Sequence, residues 1–200
     1  CDALEKENLK ITWEGSTRAN LVDKPLLQRM AGCGLIRLSF GFESADENIR
    51  EIIRKECQIE SYKTANELTN SLGIETINSV MIGLPGDTRE TIEKTIRWIR
   101  DERTLKHATL GIAIPYPGSS MYDMAKKGEH GLTLLTEDFS LYQRYGSAVM
   151  NVNGLTPKDL LHIQKIGLLS IYFTPWRIIP VIRRMGIKAL FRPFLDSFFD

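Results

Sequence analysis

A chain of 200 residues with 42% hydrophobic and 26% charged residues is long enough to bury one sizeable core. Its formal net charge of +1 excludes a bulk electrostatic footprint for nucleic acid or an anionic membrane surface, so any partner must be recognised locally. Three cysteines, Cys1, Cys33 and Cys57, fit neither a disulfide framework nor a compact zinc knuckle and point to a reducing cytoplasm.

In chain order, residues 2–7 read as the last turns of a helix, and residues 1–10 are too charged for a signal peptide. "LKITWEG" then turns β-rich. Asp23 is the expected N-cap of a helix with Pro25 in its first turn, Leu26, Leu27 and Met30 along it, and glycines at 32 and 34 to stop it. "LIRLSF" is the next strand. It breaks at Gly41-Phe42-Glu43-Ser44, where Ser44 and Glu47 have the spacing of a capping box. A further helix starts near Ser61, with Ala65, Leu68 and Leu72 on one face and Gly73 as its stop, and runs into the strand "IETINSVMIG".

The loop "LPGDTRE" carries Asp87 and Glu90, again with capping-box spacing, before a helix with Ile92, Ile96 and Ile99 in one stripe. "ATLGIAIPY" is the fourth strand. Strict alternation of strands and helices predicts an α/β fold with a parallel sheet covered by helices. Four units make an open partial (β/α) barrel whose first strand leaves an edge, to be paired with a second copy in a homo-dimer or covered by the tail. The chain reads as a fragment, divided into a partial barrel over 1–128 and a mostly helical region over 129–200. "TEDFSLYQRYGSAVMNVNG" has no clear period, and Thr156 with Pro157 opens a helix. "IGLLSIYFTPW" is too short to span a bilayer and is broken by Pro175.

Side chains and helix N-termini converge just beyond the carboxyl ends of parallel strands, so ligand sites form there. Arg18, Glu43 and Ser44, the run Gly83 to Asp87, and Pro115 to Ser119 all occupy that rim. His107, His130 and His162 have no ligand-like spacing, and Trp13 reads as a core residue. Residues 176–195 carry Arg177, Arg183, Arg184, Lys188 and Arg192 among apolar residues. That basic amphipathic stretch suits docking on another domain, peripheral membrane contact, or capping of the chain's own barrel.

The stretches "ITWEGSTRANLVDKPLLQRMAGCGLIRLSFGFES", "NSVMIGLPGDTRETIEKTIRWI" and "AIPYPGSSMYDMA" resemble the later strands of radical S-adenosylmethionine enzymes. The likeness is closest to the branch with an N-terminal cobalamin-binding domain, which includes anaerobic magnesium-protoporphyrin ester cyclase, and it covers residues 1–128 most strongly. It implies that the chain holds strands three to six of a (β/α)6 core. The first two strands, the cobalamin domain and the C-x3-C-x2-C loop for a [4Fe–4S] cluster would then lie in the rest of the enzyme.

In such enzymes S-adenosylmethionine is cleaved to a 5′-deoxyadenosyl radical that acts on a small-molecule substrate, here of tetrapyrrole or lipid type. By resemblance, Glu43 and Ser44 bind the ribose or amino end of the nucleotide, and Lys55 or Arg18 neutralises the methionine carboxylate. Ile82 and Gly83 form an apolar ledge for adenine, and Pro115 and Tyr116 offer backbone groups to its edge. Lys55 reads equally as a solvated charge on a helix face. The three cysteines cannot supply the cluster loop, so no metal ligand is assigned and the chain alone is expected to be inactive. The competing reading is a non-enzymatic α/β module that holds a metabolite at its rim and meets a partner through its basic tail.

Overall fold

The structure is a computed structural model that describes residues 1–179. A short helix α1 (Asp2–Lys6) precedes strand β1 (Trp13–Thr17), helix α2 (Lys24–Gly32), strand β2 (Leu35–Glu43), and helices α3 (Glu47–Ile52) and α4 (Ile59–Ser71). Strand β3 (Glu75–Ile82), helix α5 (Arg89–Asp101) and strand β4 (Ala108–Ile112) follow. The four strands form one open parallel sheet in the order β1-β2-β3-β4. Among the described residues no strand pairs with the outer edge of β1.

The helix starts show where local chemistry decides. Asp23 caps α2 by accepting from Leu26 N at 2.8 Å, and Thr156 caps the last helix with Pro157 in its first turn, both as the sequence predicts. Two other caps are displaced. Asp46, not Ser44, caps α3, because its carboxylate accepts from both Asn48 N and Ile49 N. Thr88, not Asp87, caps α5, in a reciprocal box with Thr91.

Register separates the two faces of the sheet. Leu38, Phe40, Phe42, Val80, Ile82, Leu110 and Ile112 are buried under the helices. Phe42 stacks on Trp98 of α5 at 4.7 Å and meets the edge of Tyr62 of α4 at 5.0 Å. The alternate residues, Arg37, Ser39, Gly41 and Glu43 on β2 with Ser79 and Met81 on β3, occupy the concave face. At its amino end Arg37 bridges Glu14 at 2.6 Å and Glu75 at 2.7 Å, tying three strands together.

The region after residue 128 is not purely helical. Helix α6 (Ser120–Lys127) is followed by two three-residue strands, β5 (Leu132–Leu134) and β6 (Met150–Val152), paired antiparallel, and then by α7 (Pro157–Tyr172). Leu132, Met150, Leu160 and Ile171 join the same hydrophobic core as the sheet.

The described part of this region covers the edge of β4. Ile112 N donates to Arg144 O at 3.1 Å, and Tyr172 Oη donates to Ala108 O at 2.7 Å. No described helix is long and apolar enough to cross a membrane. Most of the basic stretch 176–195 lies outside the described residues.

Candidate functional site

Glu43 ends β2 at a register shift and holds a left-handed backbone with φ +68, a conformation that costs a non-glycine residue about 1–3 kcal/mol. Its carboxylate lies over Gly41. A Cβ at position 41 would sit 2.7 Å from Glu43 Oε1 and 3.1 Å from Lys55 Nζ, so the glycine makes room for the pair. Lys55 Nζ approaches Oε1 to 3.7 Å, whereas Oε2 is buried without a hydrogen-bond partner. Burial pushes the carboxyl above its usual range, and the charges of Lys55, Arg144 and Arg50 pull it back.

Three groups hold that rim. Tyr62 Oη donates to Gly41 O at 2.5 Å. Arg50, buried, donates to Phe42 O at 3.0 Å and Ser44 O at 2.8 Å, on either side of Glu43, and to Cys57 O in the next loop. Ser44 is 1% exposed: its hydroxyl accepts from Asp46 N and meets Thr95 Oγ1 of α5 at 3.2 Å. Ser44, expected beside the ribose, fastens the turn to α5 with its hydroxyl.

Arg18 lies on the surface, its side chain 62% exposed and 3.6 Å from Glu56. Of the two cations named for the methionine carboxylate, only Lys55 stands beside Glu43. Ile82 and Gly83, expected as the adenine ledge, pack closely at the end of β3. Ile82 is fully buried on the helix side and its carbonyl is taken by Ala113 N at 2.8 Å, while a Cβ on Gly83 would touch Leu160 of α7 at 3.4 Å. Their neighbours Ser79 and Met81 hold the concave positions. Pro115 is buried. Tyr116 is exposed and leans toward the following segment, its ring 6.2 Å from that of Tyr142.

Beyond the end of β3 lies a cavity of about 490 Å³, lined by Ile52, Arg54, Met81, Leu84, Met121 and Met124 among others, a size that suits a small molecule. The turn after β3 forms part of its wall, and Asp87 closes that turn. Asp87 Oδ2 accepts from Leu84 N at 2.9 Å and Oδ1 from Thr91 Oγ1 at 2.7 Å.

Burial outweighs those bonds and pushes the Asp87 carboxyl from 3.8 to about 6. Folding therefore takes up a proton between these values, and the group's contribution to stability, full below pH 3.8, is lost as pH rises through about 6. Relative to an Asp87→Asn variant, the wild type is expected to lose up to about 3 kcal/mol between roughly pH 4 and 7. Urea midpoints for both proteins across that range check it, and parallel curves would refute it.

Cys1, Cys33 and Cys57 are free, and among the described residues no three His, Cys, Asp or Glu side chains form a metal-holding group. A [4Fe–4S] cluster does not fit this chain's own residues. The residues that sequence reasoning missed are Arg50 and Arg144. Arg50 gave no signal beyond a charge on a helix. Arg144 reaches the concave face from an irregular segment, donating to Ser79 Oγ, and its one trace is Gly111 in β4.

The radical SAM superfamily model matches residues 2–99. An uncharacterized methyltransferase of Pyrococcus horikoshii is 29% identical over 176 residues, covering 86% of this chain and 36% of the relative. The anaerobic magnesium-protoporphyrin IX monomethyl ester cyclase of Rubrivivax gelatinosus is 30% identical over 163 residues, covering 80% of this chain and 28% of the cyclase. The chain thus spans about a third of the length of these relatives.

Among solved structures, the fold resembles TsrM from Kitasatospora setae, a radical S-adenosylmethionine methyltransferase solved with tryptophan and an S-adenosylmethionine analogue. Its TM-score is 0.59 at 15% identity, over 87% of this chain and 40% of TsrM. TsrM has also been solved with cobalamin and a [4Fe–4S] cluster.

Proposed function

Because this chain belongs to the radical SAM superfamily, we propose that the concave carboxyl rim of its sheet is one wall of an S-adenosylmethionine site in a longer enzyme. Glu43 and Lys55 are its polar pair. The observation that carries this reading is the buried, unpartnered Glu43 Oε2, held in a strained backbone and beside a cation, which lacks only a donor such as a ribose hydroxyl or the methionine amino group. Lys55 supplies the charge for the carboxylate. Met81 and the apolar cavity beyond it suit the adenine body.

When bound, S-adenosylmethionine supplies the hydrogen-abstracting group of the reaction. What this chain's residues do is bind and orient it. Gly41 leaves the space, Glu43 accepts from the ligand, Lys55 balances its negative end, and Arg50 and Tyr62 hold the strand end that presents them. No step is assigned to a cluster, because the cysteines do not gather. Oxidoreductase or transferase chemistry, a tetrapyrrole or lipid-type substrate and cobalamin use belong, in this proposal, to the whole enzyme. The chain alone is expected to bind without turning over.

Titration of the chain with S-adenosylhomocysteine tests the reading. Glu43→Gln and Lys55→Met are each expected to weaken binding about tenfold, the worth of one charge-assisted hydrogen bond, while Arg18→Ala leaves it unchanged. Equal affinity in all four proteins would overturn it.

A further inference from the structure

We propose that Arg144 is the anchor for a carboxylate of the substrate on the concave face. The inference rests on the reading above only in giving the Glu43–Lys55 end of that face to the nucleotide.

Arg144 is positioned by its backbone. Its carbonyl accepts from Ile112 N at 3.1 Å and from Gln164 Nε2 at 3.3 Å, and Gln164 also donates to Leu110 O at 2.8 Å. These bonds fix where the side chain starts and do not involve the side chain itself. The guanidinium then runs over the concave side of β4 at Gly111, where an added Cβ would collide with Nε and stand 2.8 Å from Cγ. A glycine within a strand often marks such a close approach.

Across the sheet the guanidinium donates to Ser79 Oγ. Its Nε is buried and has no acceptor, and among the described residues Arg144 forms no ion pair with any carboxylate. Glu43 feels its charge but pairs with Lys55 instead.

A cation held at one nitrogen, with a second N–H dry and unused, is costly unless something else completes it. The planar guanidinium fork matches two coplanar oxygens, and one uncompensated positive charge balances one carboxylate. The body of such a ligand has an apolar neighbour. Tyr145 is half exposed, with its ring 5.8 Å from the Arg144 guanidinium carbon. A flat carboxylic acid fits both features.

The test uses the full chain with two probes, naphthoate and its neutral counterpart naphthamide, followed by naphthalene fluorescence, and titrates S-adenosylhomocysteine in parallel. Naphthoate is expected to bind the wild type at least about tenfold more tightly than naphthamide, and Arg144→Met to erase that preference. S-adenosylhomocysteine affinity should stay within about twofold in Arg144→Met and fall in Lys55→Met.

Because the segment is held through the Arg144 backbone and the variant loses only the side-chain bond to Ser79, it should keep a cooperative urea transition close to that of the wild type, which confirms that the protein is folded. Unchanged naphthoate affinity in Arg144→Met, equal binding of naphthamide, or no saturation by naphthoate up to about 10 mM would overturn the proposal. Failure of the nucleotide reading would appear separately, as absent S-adenosylhomocysteine binding with the naphthoate result intact.

Discussion

Arg50→Met is expected to cost the chain about 3–5 kcal/mol, a large share of the roughly 5–15 kcal/mol that holds a domain of this size together. The guanidinium is buried and donates to Phe42 O, Ser44 O and Cys57 O, and it lies within 6 Å of the rings of Phe42 and Tyr62 (5.8 and 5.7 Å). Methionine fills the space but removes the guanidinium from Ser44 O and Cys57 O, and leaves Phe42 O with Ser44 N alone. The functional effect follows from the same contacts. Phe42 and Ser44 flank the left-handed Glu43, and without Arg50 the strand end relaxes out of the conformation that presents the carboxylate. A urea midpoint lowered by that amount, together with loss of S-adenosylhomocysteine binding, is the expected result. Arg50→Lys should recover only part of it, since an ammonium cannot span carbonyls on two loops. A shift smaller than about 0.5 kcal/mol would show that the carbonyls find other donors.

The second large effect is expected at Arg177. Its guanidinium collects carbonyls from the carboxyl ends of two helices, Ile99 at 2.6 Å, Ile171 at 3.0 Å, Arg100 at 3.2 Å and Glu102 at 3.4 Å, and from Leu105 in the loop after α5 at 2.8 Å. Helix carboxyl ends carry partial negative charge, so one cation between α5 and α7 compensates both without a carboxylate. Burial lowers its pKa to about 10, which leaves it charged at neutral pH. Arg177→Met should destabilise by about 3 kcal/mol and lower Tm by roughly 6–12 °C. Arg103→Met, on an exposed neighbour, should stay within about 0.5 kcal/mol. Equal Tm values for the two variants would mean that Arg177 is an ordinary surface charge. The basic stretch that the sequence offers as a docking surface therefore begins, at Arg177, with an internal fastening.

Other elements divide along the same line. The Ile92-Ile96-Ile99 stripe, the caps at Asp23 and Thr156 and the stop at Gly73 are set by neighbours a few residues away, and all were legible. So was the parallel order of four strands, because each strand is followed by a helix long enough to cross back over the sheet.

Ile82 and Gly83 were not legible, because "SVMIG" is apolar enough on both sides to hide which way each residue points. Pairing with β4 decides that, and a one-residue error reverses every face. Ser44 and Asp46 are two cap candidates two residues apart, and the choice falls to Thr95, which takes the Ser44 hydroxyl from 51 positions along the chain. The three-residue strands β5 and β6 are too short to carry a period.

By itself the sequence determined the alternation, most of the helix ends and the strand end that carries Glu43, since short-range hydrogen bonding and periodic burial need no distant partner. Only the tertiary structure decided which face each rim residue serves, and which buried donors and acceptors are left over, as at Glu43 Oε2 and Arg144 Nε. Hydrogen-bond satisfaction is counted over groups far apart in the chain, and no local pattern encodes it.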